Sequence, residues 1–187
     1  MTERPPNLPG MGNPPSGAAQ MSRLIERLLS WSEMAVDDLS TEQLADTRGG
    51  VTNSLGWDVW HVVRTVDNIV HFVFEREQPV WLSGAFHETW GLPKVDQGTG
   101  MDSDDAYAMR FPEAEEMKRY CGAVSNAVVP KIAAMSEAYL AETHYIRPWG
   151  VIPRIEAIGY GLVAHGNGHL GRASYVRTLL GKSGLPY

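Results

Sequence analysis

Two of the six histidines stand four residues apart, in the run His165-Gly-Asn-Gly-His169. On an α-helix, positions four apart share a face, with Cβ atoms about 5–6 Å apart. Two imidazoles so placed can hold one metal ion, and zinc, nickel and iron all accept such ligands. The same spacing also suits two polar residues on a solvated face, so the surroundings must decide. At about 100° per residue, Ile158, Leu162, His165, His169, Arg172 and Val176 fall on one stripe. Apolar neighbours above and below predict that this stripe faces the interior. Buried imidazoles need partners, and a metal ion supplies them.

A third ligand is available upstream. Around His61, the residues Val59, Val63, Val66 and Val70 project to one apolar face. The opposite face holds Ser54, Trp57, His61, Thr65, Asn68 and Phe72, with no formal charge when His61 is neutral. Mixed aromatic and polar character suits a pocket wall better than a solvated surface. His61 is the candidate ligand; a core histidine bonded to a backbone carbonyl is the plain alternative. His71 projects about 80° from the His61 line, and His87 and His144 fall in connecting segments, so these three are weaker competitors. Arg172 and Asn68 are candidate catalytic side chains, as a carboxylate partner and a hydrogen-bonding group. Trp57, Thr65 and Arg172 are candidate contacts for a bound co-substrate, with Trp60 and Trp90 as further candidates for the pocket lining or the core. Arg172 could equally bridge to an acid on another helix.

Four segments have helical periodicity and must position these groups. They run from about Ala18 to Ala35, Ser54 to Glu75, Pro112 to Ala138 and Pro153 to Leu180. Asn53 or Ser54 can cap the second, Pro112 suits the first turn of the third, and Gly181 is a natural stop for the fourth. No segment reads as a strand. Gly159, Gly161, Gly166, Gly168 and Gly171 interrupt the fourth helix and each costs up to about 1 kcal/mol. They imply either close approach of a neighbour or a break in the helix. The segment from Gln78 to Phe111 is long enough for a functional loop. The expected fold is all-α, a four-helix bundle with a long crossover between the second and third helices. Residues 1–17, rich in Pro and Gly, are expected to form a flexible arm, and 18–187 the domain.

The bulk numbers narrow the classes. A chain of 187 residues suits one domain with its own core. A net charge of −6, without basic clusters, argues against nucleic acid or an anionic membrane as partner. No apolar run approaches a membrane span of roughly 18 residues. The single cysteine, Cys121, excludes an intrachain disulfide, and a cytoplasmic location is expected. Cys121 has a catalytic and a structural reading, and for a lone cysteine between Tyr120 and Gly122 the structural one is the plainer.

The run Asn53-Ser-Leu-Gly-Trp57-Asp-Val-Trp60-His61, followed by Arg64 and Asp67-Asn68, resembles the second-helix signature of the DinB/YfiT-like superfamily. The run from His165 to Gly181 resembles its fourth-helix signature, and Gly98-Thr99-Gly100 is similar to a segment of actinobacterial members. The resemblance covers the chain from about residue 20 onward. It implies an up-down-down-up bundle, often a homodimer, and a divalent metal held by His61, His165 and His169. Zinc or nickel come first, with iron as a further option. It also implies a low-molecular-weight thiol co-substrate such as mycothiol, transferred to a small electrophile or used in an isomerisation.

Three neutral imidazoles leave a metal with open positions, which suits catalysis more than a closed structural role. A thiol reaching such an ion ionises more readily and can attack an electrophilic carbon. Metal-assisted hydrolysis is the rival, although neither histidine is followed by the glutamate of a His-Glu-x-x-His motif. A non-catalytic ligand-binding or stress protein is the third reading.

Overall fold

In the computed structural model, which describes residues 16–186, the chain is mainly helical with one small antiparallel sheet. Helix α1 spans Gly17–Val36, and the Ser16 hydroxyl caps it by accepting the Ala19 N–H at 3.2 Å. The end of the expected arm, Ser16 and Gly17, thus already belongs to the helix start. The rest of that arm, residues 1–15, lies outside the described residues. The short α2, Thr41–Leu44, carries a capping box between Ser40 and Gln43.

The second predicted helix forms in two parts. Helix α3 is Leu55–Asp67, capped by Ser54, and a π segment, Asn68–Phe74, continues it. Every residue of α3 is buried. The expected division into an apolar and a pocket face therefore understates its burial: α3 is covered on all sides. It packs against α1 and against two helices further along, α7 (Ala114–Ala133) and α10 (His165–Leu179).

Burial obliges the polar residues of α3 to find partners. Asp58, His61, Arg64 and Asp67 recur every third residue, so they wind slowly around the helix. Asp67 is the most heavily bonded. It accepts from the Val80 and Trp81 backbone N–H groups at 2.9 and 2.8 Å, from Tyr120 at 2.9 Å and from His71 at 2.8 Å. In doing so it pins the start of α4, Val80–Ser83.

The predicted long loop is interrupted by three short helices. It contains α4, α5 (Phe86–Trp90) and α6 (Ser103–Ala108). Trp81, Phe86, Trp90 and Tyr120 gather there as an aromatic cluster, with neighbouring ring centroids 4.8–6.5 Å apart. The third helix is shorter than expected. Pro112 and Glu113 precede α7, and after its end at Ala133 the Ser136 hydroxyl caps a separate turn, α8, Glu137–Ala141.

Two short strands correct the expectation that no segment forms one, while the all-α class stands. β1, Thr143–Ile146, pairs antiparallel with β2, Gly150–Pro153, and Pro153 both ends that strand and caps the helical path that follows, as the expected start of the fourth helix had it. Helix α9, Arg154–Glu156, leads through a second π segment, Ala157–Ala164, into α10. The helical path therefore survives the glycines. Two of them sit where neighbours come close: a Cβ at Gly161 would stand 2.7 Å from the Trp149 ring, and one at Gly166 would stand 2.9 Å from Leu28 of α1. A Cβ at Gly168 or Gly171 would meet nothing within 4 Å.

Ile25, Leu28 and Leu29 of α1, Val59, Val63 and Val66 of α3, and Val124 and Val128 of α7 form the centre of the core. Among the described residues, no helix is long and apolar enough to cross a membrane. Cys121 is buried, and burial pushes its thiol well above the usual range, which fits the structural reading.

Candidate metal centre

α3 brings His61 opposite the start of α10, where His165 and His169 stand one turn apart. One ligand atom from each of the three lies within 4.8 Å of the others. The Nε2 atoms of His165 and His169 are 3.1 Å apart. Two nitrogens each about 2.0–2.1 Å from a shared tetrahedral ion would stand roughly 3.3 Å apart, so this pair is close to ligand spacing.

The hydrogen bonds behind the rings fix which nitrogen is free. His61 Nδ1 lies 2.5 Å from the Gln97 carbonyl oxygen, to which it can only donate. The plain alternative from sequence, a histidine bonded to a backbone carbonyl, is what the structure shows, and it leaves Nε2 free to coordinate. His169 Nδ1 lies 2.9 Å from Asp58 Oδ1 and donates to that carboxylate. A carboxylate behind a ligating histidine fixes its tautomer and raises its basicity. The donor set thus fits a divalent cation: ring nitrogens converge in front, and acceptors stand behind His61 and His169.

Asp58 is fully buried and serves two donors. Arg172 Nε donates to its Oδ2 at 2.8 Å, and Arg172 Nη2 makes a short contact to its Oδ1. Arg172 thereby takes the role of a bridge to another helix. It stands behind His169, with its Nη2 2.9 Å from the ring nitrogen, and does not line the cavity in front.

That cavity has a volume of about 240 Å³. Trp57 and Thr65, two of the candidate co-substrate contacts, line it together with Gly98, Thr99, Pro148 and Trp149. Trp57 stacks on His61 at 4.8 Å. The Thr65 hydroxyl donates to the His61 carbonyl at 2.7 Å, leaving its lone pairs for other donors. Asn68 is half-buried at the start of the first π segment and lies outside the cavity lining. Trp60 belongs to the core, and Trp90 donates its Nε1–H to Glu116 at 3.0 Å; neither lines the cavity. His71 is held by Asp67, His87 faces the Trp81 carbonyl at 3.3 Å, and His144 sits on β1, so none joins the cluster.

Gly98 is the tightest point of the wall. Its φ is +92°, and a Cβ there would stand 2.7 Å from the Trp57 ring and 3.2 Å from His61 Nδ1. Alanine at this position strains the backbone and crowds the ring stack. Gly98→Ala is expected to cost about 1–3 kcal/mol of stability, read from the urea midpoint. An unchanged midpoint would mean that the segment from residue 97 to 100 yields freely.

Desolvation, with smaller contributions from neighbouring histidines, lowers His61 to about 4; desolvation likewise lowers His165 to about 4. Both are therefore neutral and able to ligate near pH 7. The unfolded chain holds these groups near 6.5. Between about 4 and 6.5 the unfolded state binds more protons, so stability rises with pH there and levels off above. In chelator-treated protein, acidification from pH 7 to 4.5 should lower the urea midpoint more for the wild type than for His61→Gln. Parallel profiles would show that these imidazoles do not drive the change.

Sequence reasoning missed Asp58, the Gln97 carbonyl, Pro148 and Trp149. A carboxylate inside a run as apolar as Leu55–Val63 was a readable signal, since it cannot be buried alone. The carbonyl had no side-chain signature.

Fold and site together define a helical protein with a three-histidine cluster that could hold a metal ion. The model of the DinB superfamily matches residues 13–173, and the chain belongs to that superfamily. A solved structure described as a conserved protein from Enterococcus faecalis has a similar fold, with a TM-score of 0.74 and 18% identity over 87% of this chain and 96% of that one. No curated protein matches the sequence.

Proposed function

We propose that this protein is a metal-dependent S-transferase that joins a low-molecular-weight thiol, such as mycothiol, to a small electrophile. The observation that carries the reading is the convergence of one ring nitrogen from each of three histidines on a cavity whose other lining is aromatic, glycine, threonine and proline. A divalent cation held by His61, His165 and His169 supplies Lewis acidity, which lowers the pKa of a thiol that reaches it. The chain's own contribution is positioning. Gln97 and Asp58 hold two imidazoles in the ligating tautomer, and Trp57 and Trp149 keep the reacting carbon among apolar surfaces. In the transfer a sulfur–carbon bond forms, the leaving group departs from carbon, and the thiol proton passes to solvent.

Hydrolysis is less well supported. No carboxylate lines the cavity, and Asp58 is already engaged by His169 and Arg172. A general base for water is therefore missing among the described lining residues. We also infer that the four long helical stretches close up-down-down-up, as the packing of α1 on α7 and of α3 on α10 supports. A cytoplasmic homodimer is part of the same proposal.

The test is metal content and thiol-dependent turnover in one preparation. Protein supplied with zinc or nickel should hold one ion per chain. It should accelerate the displacement of chloride from 1-chloro-2,4-dinitrobenzene by mycothiol. Metal binding with thiol-indifferent ester cleavage would favour hydrolysis. Metal binding without turnover of either kind would favour a ligand-binding protein. No bound metal, with His61→Ala unchanged, would overturn both catalytic readings.

A further inference from the structure

Arg172 borders a second cavity on the outer side of α10, away from the histidines. Its volume is about 400 Å³, and its lining includes Arg48, Val51, Arg172, Tyr175 and Leu179. Small-molecule sites begin at about this size. The apolar part is unusually open to solvent: Val51 is 81% exposed, Tyr175 63% and Leu179 49%.

The arginines give this groove a polarity. No acid is among its lining residues. Asp46 pairs with Arg48 Nη1 at 3.0 Å, and Asp58 takes Nε and Nη2 of Arg172. Among the described residues, Arg172 Nη1 and Arg48 Nη2 make no hydrogen bond. A guanidinium carries five N–H donors in a fixed fork, so each arginine retains donors after its own carboxylate is satisfied. A carboxylate can accept from such donors by charge-assisted hydrogen bonds, while an apolar tail would cover Val51, Tyr175 and Leu179.

We propose that this groove is a second ligand site, for a small amphipathic carboxylate whose head meets Arg48 and Arg172. It is independent of the reaction proposed above. It touches the metal centre through Arg172, because Asp58 serves both that residue and His169.

Octanoate and 1-octanol are suitable probes, equal in chain length and different in charge. Calorimetric titration of the full chain should show one octanoate per chain, bound at least roughly tenfold more tightly than 1-octanol. Arg48→Gln should weaken octanoate about tenfold, and Leu179→Glu, which places an acid in the groove, by as much or more. Both positions are exposed enough for the variants to fold, and their melting temperatures would verify it. Absence of octanoate binding would overturn the proposal, as would equal affinity for the two probes or an unchanged Arg48→Gln. It would fall equally if the protein sediments as a dimer that Leu179→Glu splits, since a second copy would then occupy the groove.

Discussion

Replacing any one of His61, His165 and His169 with alanine is expected to lower zinc affinity by about 10²–10³-fold. The scale follows from structural zinc sites, where about 10–16 kcal/mol is shared among four ligands, or roughly 3–4 kcal/mol for each. At about 1.4 kcal/mol per tenfold, one ligand accounts for two to three decades. The losses should not add, because once one histidine is gone the remaining pair is already a poor site. Competition with a chromophoric chelator measures each variant. A variant that keeps wild-type affinity would remove its histidine from the ligand set. His71→Ala is the control, since Asp67 already holds that ring in a separate buried network.

Asp58→Ala should be felt in two ways at once. Its carboxylate is fully buried and bonded to both His169 and Arg172. Its removal strands the Arg172 guanidinium beside an imidazole, and breaking a buried ion pair costs about 3–5 kcal/mol. Arg172 is 37% exposed at the side chain, so solvent relieves part of that, and about 3 kcal/mol is expected by denaturant titration. Metal affinity should fall a further 10–100-fold, the usual effect of losing a partner behind a ligating histidine. Asp58→Asn separates the effects. It keeps the packing but can present an N–H to His169, so affinity should fall while most stability remains. An Asp58→Asn protein with undiminished zinc affinity would show that the carboxylate serves only the fold.

The sequence made the helical pair legible because four-residue spacing needs only local geometry. His165 and His169 could be placed on one stripe without knowing what lay opposite. His61 was legible as a candidate, but its approach to the pair depends on how α3 crosses α10. Asp58 was harder still, because its partner His169 lies 111 residues away and one wheel cannot show both. The hairpin escaped because β1 and β2 are only four residues each, too short for alternation to register. Trp149, carried on its turn, escaped with it. The crossover was judged by its turn-rich centre, whereas its order comes from Asp67 reaching two backbone N–H groups at the start of α4.

The two π segments bear on how this chain tolerates changes in length. A π turn closes its hydrogen bond one residue later than an α turn, so each segment is the visible form of one surplus residue. One follows His61 in the chain and the other precedes His165. Loss of a single codon between Ala157 and Ala164 would let an ordinary ladder run through to α10. Everything upstream would keep its direction relative to His165, and only the wide turn, where Gly161 meets the Trp149 ring, would change. The three histidines would survive such a deletion unchanged in identity while one wall of the cavity was rebuilt. Single-residue length changes at these two places are therefore a route by which a chain can keep its three histidines and differ in the cavity in front of them.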